Sequence, residues 1–216
     1  MLDQQLIAHW AFGIEDVHGH TVTDAAGSLT AELDRTVGIV PGRTGEALSF
    51  DGRGIAAIPA ARQLVLDQMF GFSLTFMINV TASPTGEWRG LFFKQVAEHD
   101  ARSVGLWLYP DAMRLRAQLF TVKGPEFADT RGRLPLGDWI HVALVVDTDG
   151  MFLYIDGKPN VAVPLEHAVV SAAGPLYLGA EPGHAGFSGL LDDFRVYGSA
   201  LDGEDVLILA ESRPAP

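Results

Sequence analysis

The chain has 216 residues, 48% of them apolar, a formal net charge of −12 and no cysteine. That length suits one large all-β domain or two small ones, and the apolar content suffices for a real core. The acidic balance argues against nucleic acid and anionic membranes as partners, and the missing cysteines exclude disulfides, thiolate metal sites and cysteine nucleophiles. No stretch approaches the roughly 18 apolar residues of a membrane span, so no membrane insertion is expected. The opening MLDQQLIAHWAFG lacks the basic and apolar regions of a signal peptide. A cytoplasmic location follows if the chain is native and complete. A secreted or surface location follows if it is cut from a longer precursor, which the linker-like tail ESRPAP favours.

In chain order, short apolar runs recur between turn signals. LIAHWAF (6–12), EALSFDG (46–52), GIAAIPA (54–60), FSLTFMINV (72–80), RGLFFKQV (89–96) and VGLWLYP (104–110) read as strands. So do MRLRAQLF (113–120), WIHVALVVD (139–147), MFLYIDG (151–157), NVAVPL (160–165), PLYLGA (175–180) and LLDDFRVYG (190–198). Period-two alternation puts Phe72, Leu74, Phe76 and Ile78 on one face, and likewise Met113, Leu115, Ala117 and Leu119. DTDG at 147–150 and IDGKPN at 155–160 predict hairpin turns. RQLVLDQMF (62–70) is a candidate short helix or turn of helix, residues 202–211 predict another short helix, and FTVKGPEFADTRGRL (120–134) reads as an extended rim loop. Many short strands, turn residues and one late helix predict an all-β sandwich of two antiparallel sheets in a single domain.

The segments in this order resemble a known family. Trp10 with the Asp24–Gly27 turn, Phe50-Asp51-Gly52, Trp139 with His141, Tyr154 with Asp156-Gly157, and the run Asp192–Tyr197 match motifs of the laminin-G-like, concanavalin A-like jelly-roll domains of bacterial proteins. The resemblance extends over residues 6–211. It implies a jelly-roll sandwich with a short C-terminal helix, and a fold that carries many unrelated sites.

Asp192 poses the sharpest question. Strict alternation along 190–198 places it on the core face with Phe194 and Val196, and places Asp193 with Arg195 and Tyr197 on the other. A carboxylate on an apolar face needs hydrogen-bond donors or a cation. One reading is that Asp192 pins a neighbouring loop through backbone N–H groups. The other, implied by the resemblance, is a structural calcium site in which Glu15, Asp16, Asp24 and Asp51 are its co-ligands. Asp193 and Arg195 read as an ion pair on one strand face. His9 and His141 read as satisfied sandwich positions, and His18 and His20 as loop residues that could offer a metal only two ligands. Glu98, His99 and Asp100 form a further polar cluster whose default reading is solvated loop.

Catalysis finds little support. The glycosidase triplet E-x-D-x-x-E of this fold is absent, as are G-x-S-x-G and H-E-x-x-H. Aromatics offer a sugar platform, because the C–H face of a pyranose stacks on a ring. Trp88, Trp107, Tyr109 and Phe127 are the candidates, with Trp88 and Phe127 in expected loops, while Trp10, Trp139 and Tyr154 read as core. The leading expectation is therefore a non-catalytic, lectin-like recognition module for carbohydrate, with calcium as an expected structural ion. The alternative is an accessory packing domain of a larger enzyme or surface protein, its partner another domain or protein surface. A glycan-cleaving enzyme stands third.

Overall fold

A computed structural model describes residues 2, 5–96 and 102–212. The chain enters through β1 (Leu6–Trp10), β2 (Val17–His18), β3 (Thr21–Thr23), β4 (Thr30–Leu33), β5 (Gly38–Pro41), β6 (Glu46–Asp51) and β7 (Ala56–Ile58). It continues with β8 (Phe72–Val80), β9 (Arg89–Gln95), β10 (Arg102–Leu108), β11 (Leu115–Thr121) and β12 (Gly124–Asp129). Last come β13 (Trp139–Val146), β14 (Met151–Ile155), β15 (Lys158–Val163), β16 (Leu176–Leu178), β17 (Ser188–Tyr197) and the helix α1 (Gly203–Glu211).

One sheet has the order β15-β14-β13-β8-β17-β6-β5, with β1 paired to the end of β17. The other runs β12-β11-β10-β9-β16-β7-β4-β3-β2. Every strand pair is antiparallel, as the jelly-roll expectation requires. The expected turns are in place. Asp147 accepts N–H bonds from Asp149 and Gly150 in the β13–β14 hairpin. Asp156 and Gly157, with φ of 50° and 73°, give the β14–β15 hairpin the left-handed pair that its twist prefers.

The alternating residues of β8 and of β11 fill the space between the sheets, as their period of two demands. Phe76 of one sheet meets Phe92 of the other edge-on at 5.6 Å, and Phe194 packs against both. Trp10 is fully buried beside Phe194, as expected, whereas Trp139 and Tyr154 are only half-buried. Asp202 caps α1 by accepting from the Glu204 and Asp205 N–H groups. Val206 and Leu209 of the helix cover Ala143, Val145 and Tyr197 on the outer face of the first sheet.

Of the two readings of residues 62–70, the turn of helix is the one formed, as the 3-10 turn Arg62–Leu64. Two expectations need correction. The stretch 120–134 is no simple loop: β12 lies within it and extends the second sheet as an edge strand. Asp192 does not share a face with Phe194. Asp193 takes a left-handed conformation at φ 54°, and the register jumps from Asp192↔Met77 to Arg195↔Thr75. This bulge inserts one residue and restarts the alternation. Phe194 and Val196 then face the core, while Asp192, aligned with Met77, faces outward.

Candidate ligand cleft

The outer face of the second sheet is built from two neighbouring cross-strand rows. One contains Gly90, Trp107, Arg116 and Asp129, and the other Tyr177, Phe93, Gly105, Gln118 and Phe127. Trp107 and Gly105 stand two apart on β10, so their side chains point the same way. The Trp107 ring lies flat across Gly105, where a Cβ would come within 2.0 Å of Cη2. Glycine is thus what lets the indole form a floor. The Arg102 guanidinium sits above the same ring, 5.3 Å from its centroid.

Arg116 organises the rest. It binds both carboxylate oxygens of Asp129, at 2.7 and 2.8 Å, and donates to the Tyr109 hydroxyl at 2.8 Å. Its guanidinium carbon lies 5.1 Å from the Trp88 ring and 4.7 Å from the Phe127 ring, so it fills the gap between them. The hydrogen bond from Arg116 holds the Asp129 carboxyl below its usual range, and Asp129 in turn raises the guanidinium. Trp88 leans on Tyr109 at 4.6 Å between centroids. Two aromatic side chains, each 40% exposed, therefore rise on either side of a fixed cation.

Together with Gln118, Glu181, His184 and Ala185 these residues enclose a cleft of about 290 Å³. Glu181 accepts two bonds from Arg102, at 2.6 and 2.8 Å. Both guanidiniums are thus matched by a carboxylate, which leaves the cleft close to charge balance.

Of the aromatics expected to bind ligand, the structure brings Trp88, Trp107 and Phe127 together around this cleft. Trp88 comes from a loop, but Phe127 sits on β12 rather than in one. Trp107 is only 8% exposed, with one ring face on Gly105 and the other under Arg102, so it is floor and not platform. Tyr109 stands behind the cleft and props Trp88 and Arg116. Arg102, Arg116, Gln118, Glu181 and His184 were not singled out from sequence. A signal existed for two of them: in MRLRAQLF the residues alternating with the core positions are Arg114, Arg116 and Gln118.

The expected calcium carboxylates do not converge. Asp24 accepts N–H bonds from His9, Ala26 and Leu29 within and beside its own turn, and Asp51 accepts from Arg53 and Gly54 in another. Those two bonds hold the Asp51 carboxyl below its usual range, that from Arg53 contributing most. Glu15 is exposed in the β1–β2 loop and Asp16 half-buried there, while His18 and His20 are exposed. Among the described residues no three His, Asp or Glu side chains gather as a metal set, whereas calcium takes six to eight oxygens. These five residues do not fit that ion. Glu98, His99 and Asp100 lie outside the described residues.

Asp192 pins a loop instead. Its Oδ2 accepts from Arg43 and Thr44 N–H at 2.9 and 3.0 Å, which closes the β5–β6 turn over the outer face of the first sheet. Its other oxygen is buried without a partner, and burial pushes the carboxyl up to about 6. Asp193 binds Arg195 at 2.8 Å, as expected, and also His9 Nε2 at 2.6 Å. His141, two strands across the sheet from Asp192, is buried with its Nδ1 unpartnered rather than satisfied, and burial lowers it to about 4.

Comparison with known proteins agrees with this architecture. Domain 4 of AbnA, an extracellular arabinanase from Geobacillus stearothermophilus solved with arabinotriose, is 23% identical, with 96% of this chain covering 98% of that one at a TM-score of 0.71. The binding domain of Paraclostridial Mosquitocidal Protein 1 reaches a TM-score of 0.77 at 18% identity, 97% of this chain spanning about half (52%) of that one. The binding domain of Botulinum neurotoxin DC, solved with rat synaptotagmin II, reaches 0.75 at 15% identity over 97% of this chain and 52% of that one. At these identities the likeness shows the fold alone. A Danio rerio protein, Adhesion G-protein coupled receptor V1, is 35% identical over 68 residues, which are 30% of this chain and 1% of that protein. A family model matches residues 51–207, so the chain belongs to the concanavalin A-like lectin/glucanases superfamily.

Proposed function

We propose that this domain is a recognition module that holds a neutral glycan between Trp88 and Phe127. The observation that carries the reading is the pair of half-exposed rings flanking a polar floor whose two arginines are already matched by Asp129 and Glu181. Sugar C–H faces stack on such rings, and hydroxyls take hydrogen bonds from a guanidinium, amide or imidazole at the floor. A ligand carrying its own charge would meet no unbalanced partner there.

Binding is favoured over hydrolysis because glycoside cleavage uses two carboxylates about 5–10 Å apart across the scissile bond. Glu181 is the one carboxylate lining the cleft among the described residues, and it is engaged by Arg102. The arabinanase domain of similar size, solved with arabinotriose, makes arabino-oligosaccharides the first ligands to try. Among the described residues no helix is long and apolar enough to cross a membrane.

Titration calorimetry tests the reading with neutral arabino-, xylo- and cello-oligosaccharides beside sialylated and uronic ones. Binding of a neutral class is expected to vary little with salt, and Trp88→Ala to weaken it by about 2 kcal/mol, roughly 30-fold. Binding of anionic glycans alone would overturn the neutral assignment. Indifference to all of them would favour a packing domain without a ligand of its own.

A further inference from the structure

Phe127 borders two hollows rather than one. On its far side, β12 and the segment after β15 enclose a second hollow of about 370 Å³, lined by Lys123, Glu126, Phe127, Pro164, Glu166 and His167 among others. We propose that the glycan site continues across Phe127 into this hollow. Its ligand is then an internal stretch of a neutral chain rather than a terminal sugar. This rests on the reading of the first cleft.

The second hollow is a built feature. Glu126 Oε1 meets His167 Nδ1 at 3.0 Å while its Oε2 accepts the Glu166 N–H at 3.0 Å, so one carboxylate ties the edge strand to the facing segment. The Val122 N–H donates to the Ala168 carbonyl, the Val170 N–H to that of Phe120, and Thr121 bridges Val169. The β11–β12 turn is fixed by Thr121, whose hydroxyl accepts from the Lys123 N–H and donates to the Gly124 carbonyl. A wall held at this many points is preorganised and loses little freedom when a ligand arrives.

The chemistry continues as well. Lys123 and His167 offer donors, Glu126 and Glu166 offer acceptors, and charges of both signs alternate, as a polyhydroxylated neutral chain requires. Phe127 lines both hollows, with Arg116 stacked 4.7 Å from its ring centroid. A chain passing Phe127 would meet Trp88 in the first cleft and His167 in the second hollow.

The test is a length series. Arabino-oligosaccharides from disaccharide to octasaccharide are titrated against the wild-type chain and against Lys123→Ala, His167→Ala and Trp88→Ala. Affinity is expected to rise about tenfold once the chain outgrows the first cleft, the worth of one or two added hydrogen bonds. Lys123→Ala and His167→Ala should each flatten that rise while leaving the shortest ligand's affinity unchanged. Lys123→Ala touches no tie between the segments, so it guards against a His167 variant that merely loosens the wall. Affinity independent of length, or a rise that survives both variants, would overturn the second hollow and leave the first cleft standing. Failure of every length to bind, or indifference to Trp88→Ala, would remove the first cleft and this inference with it.

Discussion

The two sheets carry outer faces of opposite kinds. On the first sheet, α1 buries Ala143, Val145 and Tyr197, and the β5–β6 turn closes over Asp192. On the second sheet, Trp88 and Phe127 stand 40% exposed above a floor of Trp107 and Gln118 that none of the described residues covers. Both faces hold buried or half-buried charge. On the first, Asp192 and His141 are fully covered with one atom each left unpartnered. On the second, arginines and carboxylates are matched in pairs. The difference teaches where each type of cost is borne. A face that closes for stability can enclose an unpaired polar atom beside paired ions such as Asp193 and Arg195, whereas a face that stays open keeps its rings bare for a partner.

The contrast should break most visibly at Asp192. Asp192→Ala removes the acceptor of two part-buried N–H groups and is expected to cost about 2 kcal/mol, lowering Tm by about 4–8 °C in a chain of this size. Glycan affinity should not change, since the residue belongs to the other face. Thermal unfolding and calorimetry on one sample check both halves. An altered affinity would mean that the two faces are coupled.

Gly105→Ala tests the open face in the converse way. Its added Cβ would collide with the Trp107 ring and must tilt the floor, with no core residue displaced. Glycan binding should weaken by about 10-fold, near 1.4 kcal/mol, with a smaller loss of stability. A ring that swung aside without loss of affinity would show the floor to be dispensable and leave Trp88 and Phe127 as the binding elements.

How far these faces could be read from sequence differs in the same way. The strand Phe72–Val80 was legible to the residue because its alternation is unbroken, and the DTDG and IDGKPN turns because their chemistry admits few conformations. Strands β2 to β5 escaped, being two to four residues each, too short to display a period. The strand β12 escaped because Gly124 and Pro125 signal a turn, and on a sheet edge a proline costs no ladder bond. The face of Asp192 was misread because a non-glycine left-handed residue at 193 leaves no mark in the sequence. Within the cleft, Trp88 is legible as an aromatic in polar company, between Glu87 and Arg89, while Trp107 and Phe127 are legible only as aromatics. Arg116 and Gln118 are visible in the alternation of β11, on the polar half opposite Leu115, Ala117 and Leu119. Glu181 and His184 reach the site from the loop after β16 and meet Arg102 only through the tertiary fold, which no local pattern encodes.

A pH effect on the closed face separates its two buried groups by sign. His141 takes a proton near 6.5 when unfolded but only near 4 when folded, because burial disfavours its cation. Between those values the unfolded chain binds more protons, so this residue makes stability rise with pH. Asp192 behaves oppositely: it ionises near 3.8 unfolded and near 6 folded, the folded chain holds the extra proton in between, and stability falls as pH rises. The two slopes overlap between pH 4 and 6 and offset each other in the wild-type chain. The surrounding charges that act on His141, namely Asp193, Asp156, Arg195 and Arg43, are of both signs, and burial outweighs them. Denaturant unfolding of His141→Gln should therefore lose stability steadily from pH 4 to 6 relative to wild type, and Asp192→Asn should gain it. Parallel profiles for both variants would mean that neither group is desolvated in the folded chain. The closed face would then admit water as the open one does, and the contrast between the two would rest on α1 alone.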